Sequence, residues 1–259
     1  VGTETFDTDI NLDVEGFISP DEIAGLQLWL DASDVNTITE SGDVVSGWRD
    51  KSGNDNDAIE LTESRKPATN AATIGGLNVI TYDGSNETMR LRVASDPTID
   101  NLFSGGGTVF AVANPLSEGQ GGFGRIFDKG NNSSFVRDTD SGFVRHQHDS
   151  DFTTTNGSFK TDSAVIALGV GNLLAMQYDN SSDTNTPVFR VNSAEIATEI
   201  VTTPEGSPLS DSGSDLFIGN GSVDETWDGH FGELLFYDRI LSTQEVANVE
   251  VYLSSKWGV

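Results

Sequence analysis

No cysteine occurs among the 259 residues, so neither a disulfide staple nor a thiolate metal centre is available. A chain of this length buries enough apolar surface to stand without either. Bases are scarce: 14 Lys and Arg face 41 Asp and Glu, a formal charge of −27. That imbalance argues against nucleic acid and against an anionic membrane as direct partners. With 3 His in all, a histidine-built zinc enzyme has little to draw on. No apolar run approaches the length of a membrane span. No signal peptide is seen, and a start at Val1 rather than Met suggests a piece cut from a longer protein.

Catalytic signatures are missing too. A retaining glucanase of the sandwich type sets its carboxylates as Glu-x-Asp on one strand, where alternation puts both on one face. No Glu-x-Asp triplet occurs, and Glu225-Thr226-Trp227-Asp228 has the wrong spacing. There is no Gly-x-Ser-x-Gly elbow and no P-loop. The expectation is a protein that is not an enzyme.

What the chain does have is 28 Gly and many Thr, Ser, Asn and Asp, the composition of strands separated by turns. Leu26–Leu30, Leu77–Tyr82, Thr108–Ala113, Phe123–Phe127, Ser134–Arg137, Gly142–His148, Leu173–Tyr178, Val188–Val191 and Phe231–Tyr237 all read as strands. One strong helix is expected near the C-terminus. Ser242-Thr243-Gln244-Glu245 is a capping box, and Val246, Val249, Tyr252, Leu253 and Trp257 follow at helical spacing. Gly258 suits a left-handed end.

The run Trp227-Asp228-Gly229-His230-Phe231-Gly232-Glu233-Leu234-Leu235-Phe236-Tyr237-Asp238-Arg239-Ile240-Leu241-Ser242, closing in Lys256-Trp257-Gly258, resembles the bacterial laminin-G-like, concanavalin-A-like lectin/glucanase modules. Gly25-Leu26-Gln27-Leu28-Trp29-Leu30-Asp31-Ala32-Ser33-Asp34 and Trp48-Arg49-Asp50-Lys51-Ser52-Gly53-Asn54-Asp55-Asn56-Asp57-Ala58 agree at the front, and Val79-Ile80-Thr81-Tyr82-Asp83-Gly84-Ser85 and Leu216-Phe217-Ile218-Gly219 agree more loosely in the middle. The resemblance implies an all-β antiparallel jelly-roll sandwich over residues 20–259, with the one C-terminal helix against it. It does not imply a single activity. Residues 1–19 are expected to be an N-terminal strand or a connector between modules.

Candidate sites follow from residue chemistry. Asp138 and Asp140 in one turn, and Asp179, Asp183 and Asn185 in another, offer the oxygen ligands that calcium prefers. The turn Asp50–Asp57 is read as architectural first and as a cation site second. His146 and His148 would share one strand face and can share a metal, although a polar strand face explains them as well. Trp227 sits in a loop, and serves either as a platform for a sugar ring or as a lid on the core. Trp29, Trp48 and Trp257 belong to core patterns.

The expected function is a non-catalytic binding module of a secreted or surface-anchored bacterial protein, an adhesin flanked by other modules. It would recognise glycan or another cell-surface ligand through rim loops, with calcium. The alternatives are an accessory carbohydrate-binding module of a polysaccharide-degrading enzyme and a structural spacer without ligand.

Overall fold

The computed structural model describes residues 18–84, 88–129, 134–137, 144–147, 152–221 and 224–259. Most of the expected N-terminal strand or connector lies outside these residues. Within them the chain is an antiparallel sandwich of two sheets with one α-helix. In the first sheet, Leu26–Asp31, Gly229–Tyr237, Gly107–Pro115, Asn172–Tyr178, Val188–Val191 and Ala194–Ile196 lie side by side in that order. Ile80–Tyr82 joins it by pairing with the start of Gly229–Tyr237. The second sheet runs Thr198–Thr202, Ser158–Thr161, Val144–Gln147, Ser134–Arg137, Arg125–Asp128, Leu216–Ile218, Leu91–Val93, Ala58–Ile59, Val44–Trp48, Ile38–Ser41.

Two apolar layers hold these parts together. Between the sheets, Leu28, Leu30, Ala111, Phe127, Phe159, Leu234 and Phe236 pack with their neighbours into the main core. On the far side of the first sheet, Trp29, Phe110, Val112, Leu235 and Tyr237 meet Val246, Val249, Leu253 and Trp257 of the helix Thr243–Trp257. Side chains alternate across a strand, so Leu28 and Leu30 feed one layer while Trp29 feeds the other. The first sheet is therefore buried on both faces, which explains its continuous apolar strands.

The helix starts where the capping box puts it. Ser242 N donates to Glu245 Oε2 at 2.8 Å, and Glu245 N donates to Ser242 Oγ at 3.4 Å. Arg239 adds two contacts to the same carboxylate, at 3.0 and 2.5 Å. Those hydrogen bonds, the Arg239 pair first, hold the Glu245 carboxyl down at about 2. Gly258 ends the helix at φ 68°.

Several strands differ from expectation. Leu77–Tyr82 is not one strand: Leu77–Asn78 pairs with Thr73–Ile74, and Ile80–Tyr82 goes to the first sheet. Val79 between them turns its side chain to the helix-side layer, while Ile80 and Tyr82 fill the main core. The strand expected over Thr108–Ala113 runs on through Asn114-Pro115, its last pair. The missing Pro N–H does no harm there, at the strand's end opposite Gly229.

The turn at 50–57 closes an open edge. Leu26–Asp31 has a strand on one side only, leaving unpaired backbone groups on the other. Asp50 Oδ1 accepts from Trp29 N at 2.8 Å, Asn56 Nδ2 donates to Gln27 O at 2.8 Å, and Lys51 N donates to Trp29 O at 2.9 Å. Asn and Asp side chains thus stand in for a neighbouring strand.

Trp257 is fully buried, and its loss by Trp257→Ala is expected to cost about 3–5 kcal/mol. Ser242→Ala removes only one cap and should cost about 0.5–2 kcal/mol. Denaturant melts of both variants check the order, and a Trp257→Ala protein as stable as Ser242→Ala would show that the helix does not anchor the sheet.

Candidate functional site

Of the residues singled out in the sequence, Asp138, Asp140 and His148 lie outside the described residues. His146 is in the strand Val144–Gln147, and its ring is fully buried. It packs against Phe103 at 5.5 Å and Tyr178 at 5.2 Å, inside the sandwich. Alternation explains this: Val144 and His146 share the inner face and Arg145 takes the outer one. His146 is thus no member of an exposed pair. Trp227 is also inside, 1% exposed and stacked on Phe231 at 4.9 Å. Of its two readings, lid and platform, the geometry is that of a lid.

The loop after Tyr178 is held by its own hydrogen bonds. Asp179 Oδ1 accepts from Ser181 N at 2.9 Å and from Gly105 N at 3.2 Å. Asp183 Oδ2 accepts from Gly206 N at 3.0 Å, and Asn185 Nδ2 donates to Asp179 O at 2.9 Å. Burial would raise the Asp179 carboxyl, but the Ser181 and Gly105 amides hold it below the ordinary value. Among the described residues no three acidic or histidine side chains converge as a metal site would require.

A different surface gathers the chemistry that binding needs. Among the described residues the aromatic rings that escape full burial are Phe123, Phe217 and Tyr252. Tyr252 is engaged on the helix side, where its hydroxyl donates to Glu233 at 3.0 Å. Phe217 belongs to the outer face of the second sheet, and Phe123 lies just before the strand Arg125–Asp128, near the outward Arg145. Leu216 and Ile218 point into the main core, so Phe217 between them points out. Leu91 and Val93 do the same for Arg92 on the neighbouring strand, which pairs with Phe217 in register.

Each of these two rings carries a guanidinium. Arg90 lies over Phe217 at 4.3 Å, and Arg145 lies near Phe123 at 5.6 Å. Carboxylates fix the arginines. Arg92 Nε and Nη2 donate to Asp215 at 2.5 and 3.1 Å. Arg125, buried where the strand Arg125–Asp128 begins, pairs with Glu225 and lies 3.5 Å from Asp128. Arg145 Nε donates to Ser158 Oγ at 2.8 Å. The face thus carries two rings, Phe217 on the strand Leu216–Ile218 and Phe123 just before the adjacent strand Arg125–Asp128, with the Arg92–Asp215 pair beside Phe217 on its other side; neighbouring strands lie about 4.8 Å from one another.

Sequence reasoning passed over this face because it sought rings in loops. A signal was present: Leu-Phe-Ile at 216–218, Leu-Arg-Val at 91–93 and Val-Arg-His at 144–146 each place the middle residue opposite two core neighbours.

No known family model matches the chain, and no curated protein matches its sequence. Solved structures do match in shape. The binding domain of Paraclostridial Mosquitocidal Protein 1 superposes with a TM-score of 0.63 at 13% identity, over 90% of this chain and 52% of that one. A Trypanosoma rangeli sialidase in complex with the inhibitor DANA gives 0.57 at 13% identity, over 88% and 33%. Domain 4 of an extracellular arabinanase from Geobacillus stearothermophilus, in complex with arabinotriose, gives 0.51 at 15% identity, over 87% and 98%. The chain spans about half the length of the first of these. At such identities the likeness is one of fold alone: an antiparallel β-sandwich.

Trp227→Ala is expected to cost about 3–5 kcal/mol of stability, as removal of a core ring does. Its melting curve decides between lid and platform, since loss of a solvent-facing ring would leave the melt within about 0.5 kcal/mol of the parent.

Proposed function

We propose that the chain is a non-catalytic carbohydrate-binding module, laminin-G-like in type, that takes glycan on the outer face of its second sheet. The single observation behind this reading is the pair Phe123 and Phe217, both half-buried and each flanked by an arginine. Sugar rings have an apolar face for aromatic side chains and hydroxyls for planar donors and acceptors, and both sets of groups stand ready here. Arg92–Asp215 is pre-paired, so little ordering cost remains for binding there. The sandwich likeness to a sugar-bound arabinanase domain supports the reading. The parent would be a secreted or surface-anchored bacterial protein, an adhesin with further modules on the same chain. The near-complete coverage of that arabinanase domain favours, as a second reading, an accessory module of a polysaccharide-degrading enzyme. The domains encoded beside this one tell the two apart.

The test is a glycan array followed by titration of Phe217→Ala and Phe123→Ala. Each change is expected to weaken binding about tenfold, which is about 1.4 kcal/mol, while the melt stays nearly unmoved. An array that stays blank would leave a structural spacer instead.

Calcium belongs to the proposal through the acidic loop of Asp179, Asp183 and Asn185. A cation bound only by the folded state, with a site near 0.1 mM and calcium near 10 mM, would add about 2.7 kcal/mol. Melting curves in calcium, magnesium and EDTA at matched ionic strength check this, calcium being expected to give the highest midpoint. Asp179→Asn with Asp183→Asn should remove the difference, and three equal curves would remove calcium from the account.

A further inference from the structure

The half of this face around Phe217 is richer in positive charge than the chain allows one to expect. With 14 bases in 259 residues, three arginines, Arg65, Arg90 and Arg92, come within electrostatic reach of one another here. Arg90 N donates to Arg65 O at 2.8 Å, which seats the two residues side by side. Arg90 feels Arg65 and Arg92 as like charges, and Glu60 and Asp215 as opposite ones. Burial first, then Arg65, holds the Arg90 guanidinium below its ordinary value.

The partners present do not use up these groups. Asp215 is committed to Arg92 through both oxygens, and Oδ1 also accepts from Ser95 N at 3.0 Å. Glu60 comes only to 3.9 Å of Arg90, and its Oε1 accepts from Thr62 N at 2.7 Å. Arg90 Nη1 donates to Gly221 O at 2.7 Å, while its buried Nε has no hydrogen-bond partner. The half-exposed Arg65 side chain has no ion pair among the described residues. Three cations therefore face two carboxylates, one of them wholly engaged, in a protein with acids to spare.

We propose that Arg65 and Arg90, with Phe217 beneath, bind the anionic substituent, a carboxylate or sulfate group, of an acidic glycan. This rests on the glycan reading above and specifies the ligand's class. A guanidinium donates to a carboxylate or sulfate through parallel N–H groups. The ring under Arg90 keeps it flat and partly dehydrated, which strengthens such a contact. The overall charge of −27 does not forbid it. At physiological salt the screening length is about 8 Å, so a group held between the two arginines feels them more than the distant acids.

The experiment titrates the whole chain with dextran, dextran sulfate, alginate, poly-L-glutamate and a single-stranded DNA oligonucleotide. Parallel titrations use Arg65→Gln, Arg90→Gln and Arg90→Lys, with melts to verify folding. Dextran sulfate or alginate is expected to bind on the order of tenfold more tightly than dextran, and less so as salt rises. Which of the two binds separates sulfate from carboxylate. Each Gln variant should erase most of that preference, and Arg90→Lys should restore part of it. Should Arg90→Gln fail to fold, Arg65→Gln decides alone, because its side chain makes no ion pair among the described residues. Equal binding of dextran and its acidic counterparts, or a preference untouched in Arg65→Gln, would overturn the anionic subsite and leave the glycan reading in place. Binding of poly-L-glutamate or DNA as tight as that of the acidic glycans, or no binding at all, would overturn both.

Discussion

A carboxylate with no access to water sits between the helix and the first sheet. Glu233 is wholly buried, and such a group is tolerable only if donors surround it. Trp29 Nε1 reaches it at 2.6 Å, Trp257 Nε1 at 2.7 Å, Lys256 Nζ at 2.7 Å and Tyr252 Oη at 3.0 Å. These donors come from the edge strand, the last turn of the helix and the helix middle, so one side chain fixes three parts of the chain. Burial first, then Asp31 nearby, raises the Glu233 carboxyl above its ordinary value. Asp31 behaves oppositely: burial would raise it, yet Lys256 and Lys51, at 2.8 and 2.9 Å, hold it below. Taking away one partner of such a cluster strands the remaining charges, and that typically costs about 3–5 kcal/mol.

The backbone had to be bent to aim Glu233 this way. The pairing of Gly229–Tyr237 with Gly107–Pro115 slips between Phe231 and Glu233, a bulge centred on Gly232. Phe231 and Leu234 both face the main core, so regular alternation is broken once and Glu233 is turned outward. Gly232 also leaves room for the indole: a Cβ there would come within 2.9 Å of the Trp257 ring. Bulge, glycine and indole therefore depend on one another.

The excess of acid is less of a burden than the number suggests. Asp31, Asp34, Asp50, Asp96 and Asp179 each accept the amide of the residue two positions on. That is the Asp-turn geometry, in which a carboxylate supplies the acceptor a tight turn lacks. Part of the negative charge thus shapes loops, which a count of acids does not distinguish from readiness to hold a cation. Several of the scarce bases serve as ion-pair partners instead: Lys51 and Lys256 at the Glu233 cluster, Arg190 for Glu250, Arg239 for Glu245 and Arg92 for Asp215.

The sequence by itself determined the local elements. Alternation wrote most of the strands, Ser242 and Glu245 set the start of the helix, and Gly258 set its end. These are legible because the interactions that make them span only a few residues. The four tryptophans were legible only in part: Trp29, Trp48 and Trp257 fall in periodic patterns, but nothing near Trp227 says that Phe231 will stack on it. Glu250 is similar, a charge on the buried helix face whose partner Arg190 lies 60 residues away, at 2.7 Å. Tertiary structure alone decided which outward residues became neighbours. Arg65, Arg90 and Phe217 are assembled by pairings between distant segments, Leu91–Val93 with Leu216–Ile218 and Arg90 N with Arg65 O, which no local window of residues contains.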